Sequence, residues 1–127
     1  MNALTTPLDS RHRPPAPILR APVRLSAGGP QTEIEFFVDT GADFSCLPAS
    51  AVMSNSASPL GPAKRFRRGD GSFGTLSTVW ATVELLNQSI DGYCAVTNDS
   101  VGLLGRDILQ HFKLTLDGPA GTLTLEK

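Results

Sequence analysis

The stretch "FFVDTGADFSCL", residues 36–47, runs from an apolar segment straight into Asp39-Thr40-Gly41. Upstream, Ile34, Phe36 and Val38 alternate with Glu33 and Glu35, the period of a half-buried strand. That strand delivers one carboxylate at its end. A buried carboxylate is costly unless it is paired or hydrogen-bonded. Thr40 offers a hydroxyl, and Gly41 lets the backbone turn tightly with its N–H exposed. The tripeptide alone favours the plainer reading, a strand closing in an Asx-type turn.

The chain around it is 127 residues long, the size of one domain, with no room for two catalytic lobes. Its net charge of −1 points to no nucleic-acid or membrane partner. No apolar run approaches the ~20 residues of a membrane span. The N-terminal "MNALTTPLDSRHRPPAP" lacks the apolar core of a secretory signal, so cytoplasmic residence is the expectation. Asn87-Gln88-Ser89 and Asn98-Asp99-Ser100 match the glycosylation sequon and are read as chance. Cys46 and Cys94 lie far apart with no CxxC and read as free, buried thiols.

Residues 1–17 are polar and proline-rich and read as a flexible, extended arm, leaving 18–127 as the domain. Strand signals dominate from Ile18 onward. "APVRLSAGG" ends in a Gly-Gly turn, and "FSCLP" is a short apolar run. "PASAVMS" fits a helical turn with Pro48 at its start, followed by a loop in "SNSASPLGPA". Asp70-Gly71, within "KRFRRGDGSFGTL", is the strongest hairpin signal. "LSTVWATVELL" alternates as a long strand, "YCAVT" is another, and "GRDILQHF" is the best helix candidate. "KLTLDGPAGTLTLEK" reads as a terminal hairpin. Six to eight short strands and one short helix, without a βαβ rhythm, predict a mainly β, mostly antiparallel barrel or sandwich.

Most catalytic solutions find no support. The two histidines lie in the arm (His12) and the predicted helix (His111), which leaves no Ser-His-Asp or Cys-His set. No zinc-like spacing exists, so no metal and no cofactor is expected. "GDGSFG" lacks the lysine and helix of a phosphate loop. Lys64, Arg65, Arg67 and Arg68 read as a solvated hairpin arm rather than a nucleic-acid patch, since no aromatic platform surrounds them.

Carboxylates remain. "VDTGAD" at 38–43 is followed by a glycine-containing hairpin candidate at Gly69-Asp70-Gly71. Leu103-Leu104-Gly105-Arg106-Asp107 and a helix come next. In this order the motifs resemble the retropepsin family, the retroviral-type aspartic proteases, over about residues 18–127. The resemblance implies a small closed acid-protease barrel assembled as a homodimer and acting as an endopeptidase on peptide or protein substrates. It implies a catalytic role for Asp39, with Thr40 bonding across to the second subunit and Gly41 contacting substrate. It further implies substrate contacts from Ala42, Asp43, Phe44, Leu104 and a flap tip at Gly69, Asp70 and Gly71. Asp43 and Arg106 match a family ion pair beside the active site.

Three departures stand out: Phe44, where the family often has a polar residue, a flap made highly charged by Arg67, Arg68 and Asp70, and a longer segment over 50–64. Phe44 implies a more apolar pocket. The terminal hairpin resembles that of cellular retropepsin-like domains, which implies that residues 114–126 carry dimerisation and residues 1–17 do not. The chain holds a single Asp-Thr-Gly and no Asp-Ser-Gly, so a carboxylate pair requires Asp39 of a second copy. The alternative reading is a catalytically silent peptide-binding and dimerisation module on the same fold.

Overall fold

The structure, a computed structural model, describes residues 2–53 and 61–127. The loop expected from "SNSASPLGPA" falls largely outside them. In chain order the elements are β1 (Ala3–Pro7), β2 (Ile18–Arg24), β3 (Gln31–Val38), β4 (Cys46–Pro48) and α1 (Ala49–Met53), then β5 (Lys64–Arg67), β6 (Phe73–Leu76), β7 (Thr78–Leu85) and β8 (Gln88–Thr97). β9 (Gly102–Leu104), α2 (Arg106–Leu109), β10 (Lys113–Asp117) and β11 (Thr122–Glu126) complete them.

Six strands close a barrel in the order β2-β3-β9-β4-β8-β7. Each long strand alternates as its sequence dictates. Ile34, Phe36 and Val38 of β3 and Val79, Ala81, Val83 and Leu85 of β7 face the core. Phe36, Leu47 and Leu104 are fully enclosed, and each such side chain contributes roughly 1.5–3 kcal/mol by leaving water.

Within this mostly antiparallel barrel, two pairings are parallel. β3 runs beside β9, with Phe36 opposite Gly102 and Val38 opposite Leu104, and β4 runs beside β8. Parallel neighbours end on the same side, so the loop after β3 and the segment after β9 emerge together. That pairing joins two motifs more than 60 residues apart. Gly102 permits it: a Cβ there would lie 2.7 Å from the Phe36 ring.

Three features depart from the sequence reading. Of the arm expected over 1–17, the described residues 2–17 are not free. β1 pairs antiparallel with β11, Ala3 opposite Glu126 through Pro7 opposite Thr122. Asp9 and Ala16 then exchange backbone hydrogen bonds, and Ala16 is buried. Arg11 ties this turn down by pairing with Asp9 and with Glu35 of β3, and holds the Asp9 carboxyl down to about 2. The apolar residues of β1 are too few to announce a strand, and its partner lies at the opposite end of the sequence. β8 begins at Gln88, well before "YCAVT", because Leu86 and Asn87 adopt φ of 52° and 62° and close a two-residue hairpin without glycine. The second helix is shorter than expected. The helical turn read in "PASAVMS" is present as α1, but α2 spans only four residues of "GRDILQHF", with Ile108 and Leu109 buried.

β10 and β11 form the terminal hairpin, and with β1 they make a three-stranded sheet ordered β1-β11-β10. One face carries Leu4, Leu114, Leu123 and Leu125; the other carries Thr5, Thr115 and Thr124. Leu123 and Leu125 join the barrel core, while Leu116 on the edge strand is 56% exposed.

Candidate active site

Asp39 is the first residue past β3, and its backbone N–H donates to the Leu104 carbonyl across the parallel pair at 3.0 Å. The loop then closes on the carboxylate. Gly41 N–H donates to Asp39 Oδ1 at 2.9 Å, and Ala42 N–H donates to the Asp39 carbonyl at 3.2 Å. A Cβ at Gly41 would lie 3.2 Å from Asp39 Oδ1, so a side chain there would press on the carboxylate. The hydrogen bond orients one oxygen of Asp39, and the other accepts no hydrogen bond among the described residues. Asp39 is half-buried, while Thr40 and Gly41 are exposed.

Arg106 sits at the start of α2 and grips this loop. Its backbone N–H donates to the Ala42 carbonyl at 2.9 Å, and its Nη1 donates to the Thr40 carbonyl at 2.7 Å. Its Nη2 pairs with the Asp43 carboxylate, whose side chain is 79% exposed. One guanidinium thus holds two points of the loop in a fixed fork.

A second anchor lies beneath, made by Ser45, which the sequence reading did not name, and Asp107, which it named only as part of the Leu103–Asp107 motif and gave no role. Ser45 is fully buried. Its hydroxyl donates to Asp107 Oδ1 at 2.7 Å and accepts from Gly105 N–H at 2.9 Å, while its N–H donates to Asp107 Oδ2 at 3.0 Å. Asp107 Oδ1 also accepts from Ile108 N–H in the first turn of α2. Gly105 is required by close approach: a Cβ there would lie 2.6 Å from the Phe44 carbonyl and 3.0 Å from that of Ala42. The signal for Ser45 was its place in the short apolar run "FSCLP", and for Asp107 its place in the motif at the start of a helix.

β5 and β6 form a separate two-stranded hairpin. Its turn is built by Arg68 N–H donating to the Ser72 carbonyl and Gly71 N–H donating to the Arg68 carbonyl, with Gly71 at φ +88°. The Asp70 carboxylate accepts from the hydroxyl and N–H of Ser72, which lowers its pKa. A cleft of about 490 Å³ lies between this hairpin and the Asp39 loop. Gly41, Ala42, Asp43, Phe44, Cys46 and Leu103 line one side, and Arg65, Phe66, Arg67, Phe73 and Leu76 the other.

The site residues named from the sequence therefore separate into three groups. Asp39, Thr40, Gly41, Ala42, Asp43, Phe44 and Arg106 come together in one loop and its clamp. Leu104 requires correction: its side chain is fully enclosed in the core, and the neighbouring Leu103 lines the cleft. A short strand presents alternate residues to opposite sides, so a one-residue shift changes the role. Gly69, Asp70 and Gly71 form the hairpin tip, whereas the cleft is lined by the arms on either side. Among the described residues, no three His, Cys, Asp or Glu side chains group in a way that would hold a metal ion. No described helix is long and apolar enough to cross a membrane.

No protein-family model and no curated protein matches the sequence. Solved structures do match. The chain is similar to a retropepsin-like aspartic protease from Rickettsia conorii, at a TM-score of 0.63 and 16% identity, over 98% of this chain and 99% of that one. It is similar to EIAV protease, solved with the inhibitor HBY-793, at a TM-score of 0.56 and 26% identity, over 80% of this chain and 93% of that one. A foamy viral protease-reverse transcriptase matches at a TM-score of 0.56 and 16% identity, over 79% of this chain and 13% of that one.

Proposed function

We propose that this chain, whose fold is that of the retropepsin-like aspartic proteases, is an aspartic endopeptidase that works as a homodimer through paired Asp39 residues. The observation that carries this reading is the Asp39 loop. One carboxylate oxygen is oriented by Gly41 N–H, the loop is clamped by Arg106, and Thr40 and Gly41 are exposed, with Gly41 lining a cleft of about 490 Å³.

In aspartic proteases two carboxylates about 3 Å apart share one proton, because like charges that close do not both ionise. A two-fold axis beside the exposed Thr40 would bring Asp39 of the partner subunit against the first. The ionised member takes a proton from water as the water oxygen attacks the peptide carbonyl carbon. The protonated member hydrogen-bonds the carbonyl oxygen as negative charge develops there. Collapse of the tetrahedral intermediate breaks the C–N bond, and the proton taken from water passes to the leaving amine. No covalent intermediate forms. Each Asp39 needs a fixed position and one free oxygen, and the Gly41 hydrogen bond supports both.

The β5–β6 hairpin acts as a flap over the cleft, and an extended peptide lies between flap and floor. The dimer contact falls to the terminal hairpin, where the outer edge of β10 has no strand partner among the described residues and Leu116 is exposed.

The test is cleavage of a peptide library by wild type and Asp39→Asn from acidic to neutral pH. Cleavage by wild type alone supports the proposal, and equal cleavage by both sinks it. Binding without cleavage by a well-formed wild-type dimer would favour a silent peptide-binding module.

A further inference from the structure

We infer that the cleft selects peptides carrying acidic side chains, which the guanidinium groups of Arg65 and Arg67 read. This rests on the reading of the cleft as a peptide site. The hairpin over residues 64–76 carries Lys64, Arg65, Arg67 and Arg68 against one acid, Asp70, in a chain whose net charge is −1. Two of these cations, Arg65 and Arg67, lie on one wall of the cleft.

Three of these charges are already committed. Asp70 is held by Ser72. Arg68 donates to the Phe73 carbonyl at 2.8 Å and covers one face of Phe66. The Lys64 ammonium lies 5.3 Å from the centre of the Phe44 ring. Arg65 and Arg67 differ. Both line the cleft, and among the described residues neither has a carboxylate within ion-pairing distance. The one acid on the cleft wall, Asp43, is paired with Arg106. The cleft thus holds two uncompensated cations.

Arg65 is also pre-positioned. Its guanidinium carbon lies 3.9 Å from the centre of the Phe73 ring. The ring attracts the guanidinium over its face, and among the described residues no hydrogen bond or ion pair engages its N–H donors, so the fork is open to a bidentate contact with a carboxylate. The remaining walls are largely apolar, through Phe44, Phe66, Leu76 and Leu103. An acidic side chain entering there meets less screening than on an open surface. Nucleic acid fits less well. Strand binding needs open aromatic faces for bases to stack on, and here Phe66 and Phe73 each have a guanidinium over one face.

The experiment uses the full chain and matched peptides carrying Glu, Gln or Lys at each position in turn. Cleavage is measured with wild type, Arg65→Gln and Arg67→Gln. Binding of the same peptides to Asp39→Asn is followed by fluorescence anisotropy at about 0.05 M and about 0.3 M salt. Glu peptides should be preferred over Gln peptides by about tenfold. The preference should shrink at the higher salt and largely disappear in either arginine variant. Equal handling of Glu and Gln peptides by wild type overturns the inference, as does a preference for Lys. So does a Glu preference untouched by both substitutions. A single-stranded oligonucleotide that binds more tightly than every Glu peptide, and loses affinity in the same variants, would assign the cations to nucleic acid and also overturn it. Acid-selective binding without wild-type cleavage would leave this inference standing and remove the endopeptidase reading. Cleavage without selectivity would do the reverse.

Discussion

Ser45 and Asp107 meet through two hydrogen bonds, hydroxyl to Oδ1 at 2.7 Å and N–H to Oδ2 at 3.0 Å, 62 residues apart in sequence. This contact fastens the floor of the Asp39 loop to the start of α2. Ser45→Ala removes the hydroxyl, leaves the buried Gly105 N–H without its acceptor and takes one of two hydrogen bonds from Asp107 Oδ1. We expect a loss of about 1–3 kcal/mol in urea unfolding. Gly105→Ala should cost about as much by overpacking against two backbone carbonyls. Wild-type stability in both variants would refute the anchor.

Catalysis is expected to depend on Asp39 and on protein concentration. Asp39→Asn should lower the cleavage rate by a factor of at least about 10² to 10⁴ with an unchanged circular dichroism spectrum. In wild type, specific activity should rise with dilution reversed and plateau where sedimentation shows the dimer. Leu116→Glu should move that midpoint to higher concentration by roughly tenfold. Specific activity independent of concentration, in a chain that sediments as a monomer, would exclude the paired-Asp39 mechanism.

Arg106→Lys keeps the charge and loses the fork that reaches both Thr40 and Asp43. The ion pair is largely exposed, so its own contribution to stability is at most about 1 kcal/mol. The effect should fall on kcat more than on the unfolding midpoint. A variant with full activity and strongly reduced stability would reverse this assignment.

Burial raises the Cys94 thiol from its ordinary value of 9.0 to about 12, and burial likewise raises Cys46 to about 11. Between pH 9.0 and about 12 the folded chain keeps the Cys94 proton and the unfolded chain releases it. The unfolded state then binds fewer protons, so stability is intact below this window and falls as pH rises through it, by about 1.4 kcal/mol per pH unit for this thiol. Cys94→Ala should flatten the alkaline limb of the stability profile. An unchanged slope in that variant would show that the thiol does not contribute. Iodoacetamide should modify Cys94 only when the chain is unfolded.

Deletion of residues 1–17 removes β1 and leaves the β11 edge without that partner. We expect a lower unfolding midpoint and faster amide exchange over β11. Unchanged exchange there would show that the pairing contributes nothing in solution.

What was legible in the sequence was local or tightly ordered. The β3 alternation, the glycine-bounded turns and the two spaced motifs could be read directly, because strand period and turn chemistry are set by near neighbours. What escaped depends on distant partners. β1 has no pattern of its own and exists because β11 offers an edge. The Leu86-Asn87 turn lacks the usual glycine and is imposed by the pairing of β7 with β8. Leu103 and Leu104 are chemically alike, and only the barrel decides which faces the cleft. The hairpin tip was recognisable from Asp70-Gly71, but the lining by Arg65, Arg67 and Phe73 follows from how the arms lie over the floor.

Thr5 and Thr124 touch through their hydroxyls at 3.0 Å across 119 residues of chain. A growing polypeptide can close its barrel strands with one another, but β1 waits unpaired until residues 122–126 have been made and have left the ribosome. The three-stranded sheet therefore closes only when both ends of the segment are present, and the hairpin proposed to join two copies is completed with it. Its long-range closure makes that step slow by topology alone. If the terminal hairpin joins two copies as proposed, that contact depends on residues from both ends of the segment, so pairing of copies is coupled to completion of the β1-β11-β10 sheet.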